Sequence, residues 1–133
     1  MMNRRKAREY AFILLFEYRF QPEAMEELVD RFCEDFCPEK QEDYIRSSVF
    51  RAVEHIREID GEIEANSKDW AADRISNVCL AAMRLAVCEM KYLEDIPPAV
   101  SVNEAVAIVK KYDGEESVGF VNGVLGSIQK SCE

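Results

Sequence analysis

Apolar residues recur at helical spacing along nearly the whole chain, and this periodicity limits the folds that the chain can adopt. In the segment that begins near Pro22, they occupy positions 25, 28, 29, 32 and 36, which lie on one face of a helix. The chain has only 5 glycines and 4 prolines, and no convincing stretch alternates apolar and polar residues as a half-buried strand does. These features predict an all-α protein of about seven helices joined by short loops.

The boundaries of the predicted helices follow from where the periodicity stops. Pro22 suits a first helical turn, and Pro38 ends the second helix because proline cannot continue one. A short turn carrying Trp70 and Ile75 follows the third helix. The predicted helices span about residues 3–20, 22–37, 43–65, 76–93, 101–112 and 117–130.

The start of the helix over 101–112 carries the clearest local signal. Ser101 is a candidate N-cap with Glu104 three residues later, which is the spacing of a capping box, so Asn103 and Glu104 are first interpreted as capping groups. The two prolines at 97–98 predict an extended stretch before it. Gly114 is available for the left-handed position that ends a helix.

A chain of 133 residues has the size of one domain. Its longest apolar run, Tyr10–Phe16, has 7 residues, far short of the roughly 20 that a membrane-spanning helix needs. The basic start is followed by a short aromatic-rich run without a small-residue cleavage site, which is not typical of a secretory signal. We therefore expect a cytoplasmic protein with no membrane contact.

Charge is distributed unevenly along the chain. The net charge is −9, yet residues 1–8 contain no acid and four bases. Cations at a helix start oppose the helix dipole, so helix stability does not explain them. The pattern predicts a phosphate-binding helix start, and the alternative is a solvated, frayed terminus. The rest of the chain is acidic, which excludes a protein that coats nucleic acid along its whole surface. The four bases are Arg4, Arg5, Lys6 and Arg8.

The sequence gives little support for a metal site or for an enzyme active site. The chain has 5 cysteines and 1 histidine, with no C-x-x-C pair. Cys33 and Cys37 are one helical turn apart, but no second pair completes a zinc site, so reduced thiols are favoured. There is no glycine-rich phosphate loop and no G-x-S-x-G motif, and His55 is the single candidate for histidine chemistry. We expect neither a metal nor a cofactor, and no catalytic residue.

Several polar residues and glycines lie within apolar helical segments. Arg84 and Glu89 are five apart, so each is expected to reach another helix or a loop carbonyl. Asn122 is predicted to be a hydrogen-bonded amide in the core or between helices. Gly119 and Gly123 share a face, which favours close helix–helix approach over a ligand contact.

Taken together, six motifs along the chain resemble the NusB family of transcription antitermination factors. The resemblance spans about residues 3–128, and the blocks that contain Asn103-Glu104-Ala105 and residues 120–125 are specific only in combination. In chain order the motifs are Arg4-Arg5-Lys6-Ala7-Arg8-Glu9, Arg74-Ile75 before Met83-Arg84-Leu85-Ala86-Val87-Cys88-Glu89-Met90, Asp95-Ile96-Pro97, Val102-Asn103-Glu104-Ala105-Val106, Lys110-Lys111-Tyr112 and Phe120-Val121-Asn122-Gly123-Val124-Leu125.

The resemblance implies two small helical bundles in one compact domain, with an N-terminal lobe over about 1–67 and a C-terminal lobe over about 68–133. It also implies a non-enzymatic protein that binds single-stranded boxA RNA together with NusE, a protein of the small ribosomal subunit. Members of the family join the elongating RNA polymerase with other Nus factors and suppress termination, notably in ribosomal RNA operons.

The resemblance further implies roles for particular residues. RNA binding falls on Arg4, Arg5, Lys6 and Arg8 and, in the loop before the last motif, on Glu116. Phe16 is expected to lie toward the NusE partner. At a point of NusE contact, where relatives often carry an acid and then a base, this chain has Cys79-Leu80. On the RNA side, where relatives often carry a lysine, it has Gly119. We therefore expect weak RNA binding by the chain alone and a need for the basic partner.

Other interpretations stay open at this point. The acidic surface is compatible with a helical protein–protein interaction module that has lost RNA binding. The same scaffold also serves as the RNA-binding domain of some ribosomal RNA cytosine methyltransferases, of which this chain would be a stand-alone relative. An undetected enzyme would need a convergent polar pocket. A homodimer is possible, and self-association would cover the basic helix start.

Overall fold

The computed structural model describes residues 2–36, 38–68 and 74–132, so Cys37 and the predicted turn at Trp70 lie outside the described residues. Within these ranges the chain forms seven α-helices and no strand, which confirms the all-α prediction. The helices are α1 (Arg4–Tyr18), α2 (Met25–Phe36), α3 (Glu42–Glu54), α4 (Ile56–Asn66), α5 (Asn77–Tyr92), α6 (Pro98–Asp113) and α7 (Val118–Ser131). Single 3-10 turns at Pro22–Ala24, Glu39–Gln41 and Glu115–Ser117 precede α2, α3 and α7.

Helix α5 forms the centre of the bundle. Ten of its 16 residues are buried, and it packs against α1, α3, α4, α6 and α7. Its three alanines are buried and allow the neighbouring helices to approach closely. The buried side chains join in one hydrophobic core. Among the described residues, none of the helices has the length and apolar character needed to span a bilayer.

The single helix predicted over 43–65 is wrong, because the structure divides it at His55. That residue has φ −106° and ψ 24°, outside the helical region, and its ring stacks on Tyr92 with centroids 4.0 Å apart. Helix α3 packs against α1 and α5, whereas α4 packs against α5 and α7. One straight helix cannot pack on α1 along its first half and on α7 along its second half. Tertiary packing therefore breaks the helix although the apolar spacing is continuous. The division into two lobes near residue 67 stays a prediction.

The capping box predicted at Ser101 is also wrong. Helix α6 begins one turn earlier, at Pro98, because proline at the first helical position lacks only an N–H that would be unpaired there anyway. Ser101 therefore lies inside the helix, and its buried hydroxyl donates a hydrogen bond to Glu89 over 2.7 Å. Asn103 is exposed on the same helix. The predicted stop is confirmed, since α6 ends at Asp113 and Gly114 has φ +98°.

The glycines of α7 do not serve close helix packing, contrary to the prediction. A Cβ added at Gly119 or Gly123 would meet no atom within 4 Å. The buried face of α7 is formed by Val121, Val124, Leu125 and Ile128, and the glycines lie on the opposite face. Asn122 is exposed rather than buried in the core or between helices.

Candidate nucleic-acid interface

The first turn of α1 presents a cationic surface whose members differ sharply in exposure. Asn3 caps the helix, because its side-chain oxygen accepts a hydrogen bond from the Lys6 backbone N–H over 2.8 Å. The Arg5 side chain is 77% exposed, whereas that of Arg8 is 7% exposed. Arg4 and Lys6 are exposed as well. Three of the four cations predicted to bind RNA therefore face solvent, and the fourth lies inside the protein.

Arg8 forms a buried ion pair with Glu89, which joins α1 to the central helix. The Arg8 Nε donates to Glu89 Oε2 over 2.7 Å, and the Tyr44 hydroxyl donates to the same oxygen. Burial would lower the pKa of Arg8, but its hydrogen bond to Glu89 and the charge of that residue raise it. Burial raises the pKa of Tyr44, so the hydroxyl keeps its proton. The position of Arg8 therefore suits anchoring of the first turn and not a phosphate contact.

Arg5 is held by Glu104, a residue of α6 that the sequence had suggested as a capping group. Arg5 Nη2 lies 2.9 Å and Arg5 Nε 3.2 Å from the two carboxylate oxygens of Glu104. The Arg8 Nη1 lies 3.5 Å from the same carboxylate. The hydrogen bond from Arg5 lowers the pKa of Glu104, so the carboxylate stays charged. Any anion that binds Arg5 must therefore compete with a charged internal partner.

Glu9 forms a second carboxylate contact beside the first turn. It accepts hydrogen bonds from Lys111 Nζ over 2.6 Å and from the Tyr112 hydroxyl, and Lys6 Nζ lies 3.4 Å away. The hydrogen bonds from Lys111 and Tyr112 lower the pKa of Glu9 from 4.5 to about 2. Glu9 thus brings the last turn of α6 against the start of α1.

Arg4 differs from the other cations because its partners in the structure are neutral. Its Nε donates to Gln41 Oε1 over 2.7 Å, and its guanidinium lies 4.3 Å from the centre of the Tyr44 ring. The start of α1 is less basic in the fold than the sequence suggests, because three carboxylates, one of them buried with Arg8, lie against five cations. The cations are Arg4, Arg5, Lys6, Arg8 and Lys111, and the carboxylates are Glu9, Glu89 and Glu104.

An open cleft of ≈ 260 Å³ lies between the start of α5 and the start of α7. It brings together Cys79 and Glu116, which the resemblance assigns to NusE and to RNA, with Phe120 of the last motif. The thiol of Cys79 is buried and lies 3.4 Å from Asp113 Oδ2, and burial raises its pKa. The carboxylate of Glu116 is exposed at the rim, next to Gly114.

Phe16 lies on the opposite end of α1 from the cationic turn. Its half-buried ring contacts those of Phe12 and Phe20, with centroids 6.4 Å and 5.6 Å apart. The Phe20 side chain is largely exposed, so this end of α1 presents an aromatic surface. The two ends of one helix therefore carry chemically different surfaces, one cationic and one aromatic.

The predicted interhelical role of Arg84 is confirmed. Its guanidinium donates two hydrogen bonds of 2.8 Å each to the carboxylate of Asp60, which joins α5 to α4. Within the ranges that the structure describes, no group of three or more histidine, cysteine, aspartate or glutamate side chains has the arrangement of a metal site.

Comparison with known proteins places the chain in a family. The model of the NusB family matches residues 5–130, so the chain belongs to the NusB family. A transcription antitermination protein NusB of Thermoanaerobacter sp. (strain X514) is 40% identical over 126 residues, which is 95% of this chain and 89% of that relative. The protein of the same name from Acetivibrio thermocellus is 42% identical over 130 residues, or 97% of this chain and 90% of that relative.

Solved structures give the same family. T. maritima NusB superimposes with a TM-score of 0.89 at 32% identity, covering 97% of this chain and 92% of that one. A crystal structure of the antitermination factors NusB and NusE in complex with dsRNA superimposes with a TM-score of 0.86 at 35% identity, covering 96% of each chain.

Proposed function

We propose that this protein is a transcription antitermination factor that binds RNA jointly with NusE. The observation that carries the proposal is an exposed cationic first turn on a chain of the NusB family. The protein acts as a cytoplasmic, non-enzymatic adaptor. Its ligand is boxA-type RNA, and the assembly joins the elongating RNA polymerase, notably during transcription of ribosomal RNA.

The exposed and the buried cations at the start of α1 have different proposed roles. Arg4, Arg5 and Lys6 contact phosphates, because their side chains are exposed. Arg8 positions them, because its guanidinium is paired with buried Glu89. Phosphate contacts of this kind supply affinity and register without reading the base sequence.

The remaining predicted contacts lie on two other surfaces. Glu116 stands at the rim of the cleft near RNA, and Cys79 lines the same cleft, where a partner side chain can enter. Phe16 lies on the aromatic end of α1, toward NusE. RNA and NusE thus bind neighbouring faces of the bundle, and the basic partner offsets the net charge of −9.

A titration tests the proposal. Single-stranded RNA containing a boxA-like element is titrated with the chain alone and with the cognate NusE, at several salt concentrations, alongside the duplex of the same sequence. We expect tight binding only with NusE, and stronger binding of the single strand. A module that has lost RNA binding shows no salt-dependent shift, and this outcome would overturn the proposal.

A variant of the first turn tests the assigned residues. Replacing Arg4, Arg5 and Lys6 together by glutamine removes three phosphate contacts. Each phosphate contact contributes about 0.7 to the slope of log affinity against log salt for a single strand, so the slope falls by about two. An unchanged slope removes these residues from the interface.

A further inference from the structure

The last turn of α6 joins the two regions that the proposed function assigns to RNA. Lys111 reaches the cationic first turn through Glu9, at 2.6 Å. Lys110 lies 3.3 Å from Glu115, the neighbour of Glu116 at the rim of the cleft. The side chains of both lysines are more than half exposed. Residues 110–112 therefore form a bridge between the first turn of α1 and the cleft.

Tyr112 gives this turn an aromatic surface among the cations. Its ring is 41% exposed, and it is supported from below by the buried ring of Phe12, with centroids 5.1 Å apart. The Lys111 Nζ lies 5.3 Å from the centre of the Tyr112 ring. The hydrogen bond from the Tyr112 hydroxyl to Glu9 fixes the ring against α1. The ring is thus held in place while part of it stays open to solvent.

An exposed aromatic ring beside exposed cations is the surface that single-stranded nucleic acids recognise. Unpaired bases stack on aromatic side chains, and neighbouring cations hold the phosphates of the same strand. The internal partners of the two lysines do not prevent this. The Lys110–Glu115 pair joins exposed side chains, so it contributes little and exchanges readily. Lys111 keeps its contact with Glu9, and because an ammonium has three N–H donors, its exposed end can also reach a phosphate. A basic protein partner, by contrast, would be repelled by these lysines.

We propose that residues 110–112 form a second RNA contact, in which Tyr112 stacks on an unpaired base while Lys110 and Lys111 hold the flanking phosphates. This inference rests on the proposed function and extends it. The contact carries the strand from the first turn of α1 toward Glu116, so the RNA crosses the start of α1 and the end of α6.

Substitutions at Tyr112 test the stacking. In a titration of the chain and of its NusE complex with single-stranded boxA-like RNA, Tyr112→Leu lowers affinity about fivefold or more, since a stacked base contributes strongly. Tyr112→Phe keeps the ring, loses the hydroxyl contact with Glu9 and stays within about twofold of the wild type. The matched control is Phe36→Leu, another exposed aromatic in contact with an α1 ring, and its affinity is unchanged with and without NusE.

The strand itself provides a second readout. An abasic substitution placed in turn at each position of the RNA identifies the stacked base. At that position the Tyr112→Leu variant and the wild type bind with equal affinity, because the interaction that the substitution removes is already absent. If no position shows this convergence, Tyr112 does not stack on a base.

A charge-matched pair of variants tests the lysines. Lys110→Gln with Lys111→Gln lowers the salt slope by about 1.4, as two lost phosphate contacts require. The control replaces Lys91 and Lys130 by glutamine, which changes the net charge equally at sites on α5 and α7, and leaves the slope unchanged. Equal slopes in the two double variants would overturn the proposal.

The outcomes distinguish failure of this inference from failure of the proposed function. If the wild-type protein binds no RNA with or without NusE, the proposed function fails. If RNA binding depends on Arg4, Arg5 and Lys6 but not on residues 110–112, only the second contact is overturned. If the Tyr112 and lysine variants weaken NusE binding without changing RNA affinity, the turn is a protein contact and the inference is wrong.

Discussion

The guanidinium of Arg8 donates a hydrogen bond over 2.7 Å to the carboxylate of Glu89, and both side chains are buried. This pair joins the first turn of α1 to the central helix and so fixes the direction in which the exposed cations point. Breaking a buried ion pair on one side leaves an uncompensated charge, which costs about 3–5 kcal/mol. The pair therefore explains why a protein with a solvent-exposed cationic surface keeps one of its cations inside.

Glu89→Gln tests this anchoring role. The substitution leaves buried Arg8 without its nearest charged partner, with only Glu104 at 3.5 Å remaining, and we expect the free energy of unfolding, measured by urea denaturation, to fall by about 3 kcal/mol. The control is the double variant Arg8→Met with Glu89→Gln, which removes both charges, keeps an amide that can hydrogen-bond Tyr44 and Ser101, and is expected to recover part of that loss. A single variant as stable as the wild type would show that the pair does not anchor α1.

Glu104→Gln tests whether the internal carboxylate competes with RNA for Arg5. The substitution removes the charged partner of an exposed arginine, so we expect RNA affinity to rise by up to about fivefold at low salt. The gain shrinks as salt increases, because screening weakens attraction between exposed charges. Glu54→Gln makes the same charge change at an exposed site at the end of α3 and serves as the control. A fall in affinity would show that Glu104 holds Arg5 in place for RNA.

Glu9 makes stability sensitive to acid in a defined range. Its folded pKa of about 2 lies below its ordinary value of 4.5. The resulting stabilisation is complete above the unfolded pKa and is lost as pH falls from about 4.5 to about 2. In Glu9→Gln the melting temperature therefore declines less across this range than in the wild type, by thermal denaturation at a series of pH values. Parallel declines would show that Glu9 does not contribute.

Two glycine-to-alanine substitutions should have opposite effects on stability. At Gly114 the backbone has φ +98°, and an added Cβ would lie 2.8 Å from the Glu116 carboxylate, so we expect destabilisation by about 1 kcal/mol or more. At Gly123 an added Cβ meets open space within a helix, so alanine is expected to stabilise by about 1 kcal/mol. Chemical denaturation measures both, and effects of the same sign would contradict the assigned backbone environments.

The local parts of the fold were predictable because they depend on neighbours in the chain. Apolar spacing identified the helices, and Gly114 marked the end of α6, since both signals act within one or two turns. The prediction failed where a distant surface decided the outcome. The helix breaks at His55 despite a continuous apolar period, because α3 and α4 share α5 as a neighbour but α3 also packs on α1 and α4 on α7. The prediction for the glycines of α7 failed because spacing alone does not show whether a helix face is buried or exposed.

The sequence by itself determined that the chain is helical, that its cations gather at the start of the first helix and that its motifs are those of the NusB family. Tertiary structure alone decided which of these cations face solvent. Arg8 meets Glu89, Arg5 meets Glu104 and Lys111 meets Glu9 across 81, 99 and 102 residues of chain. No local sequence pattern encodes these contacts, because they form only when packing brings α1, α5 and α6 together. The contacts determine how many of the cations remain available to bind a ligand.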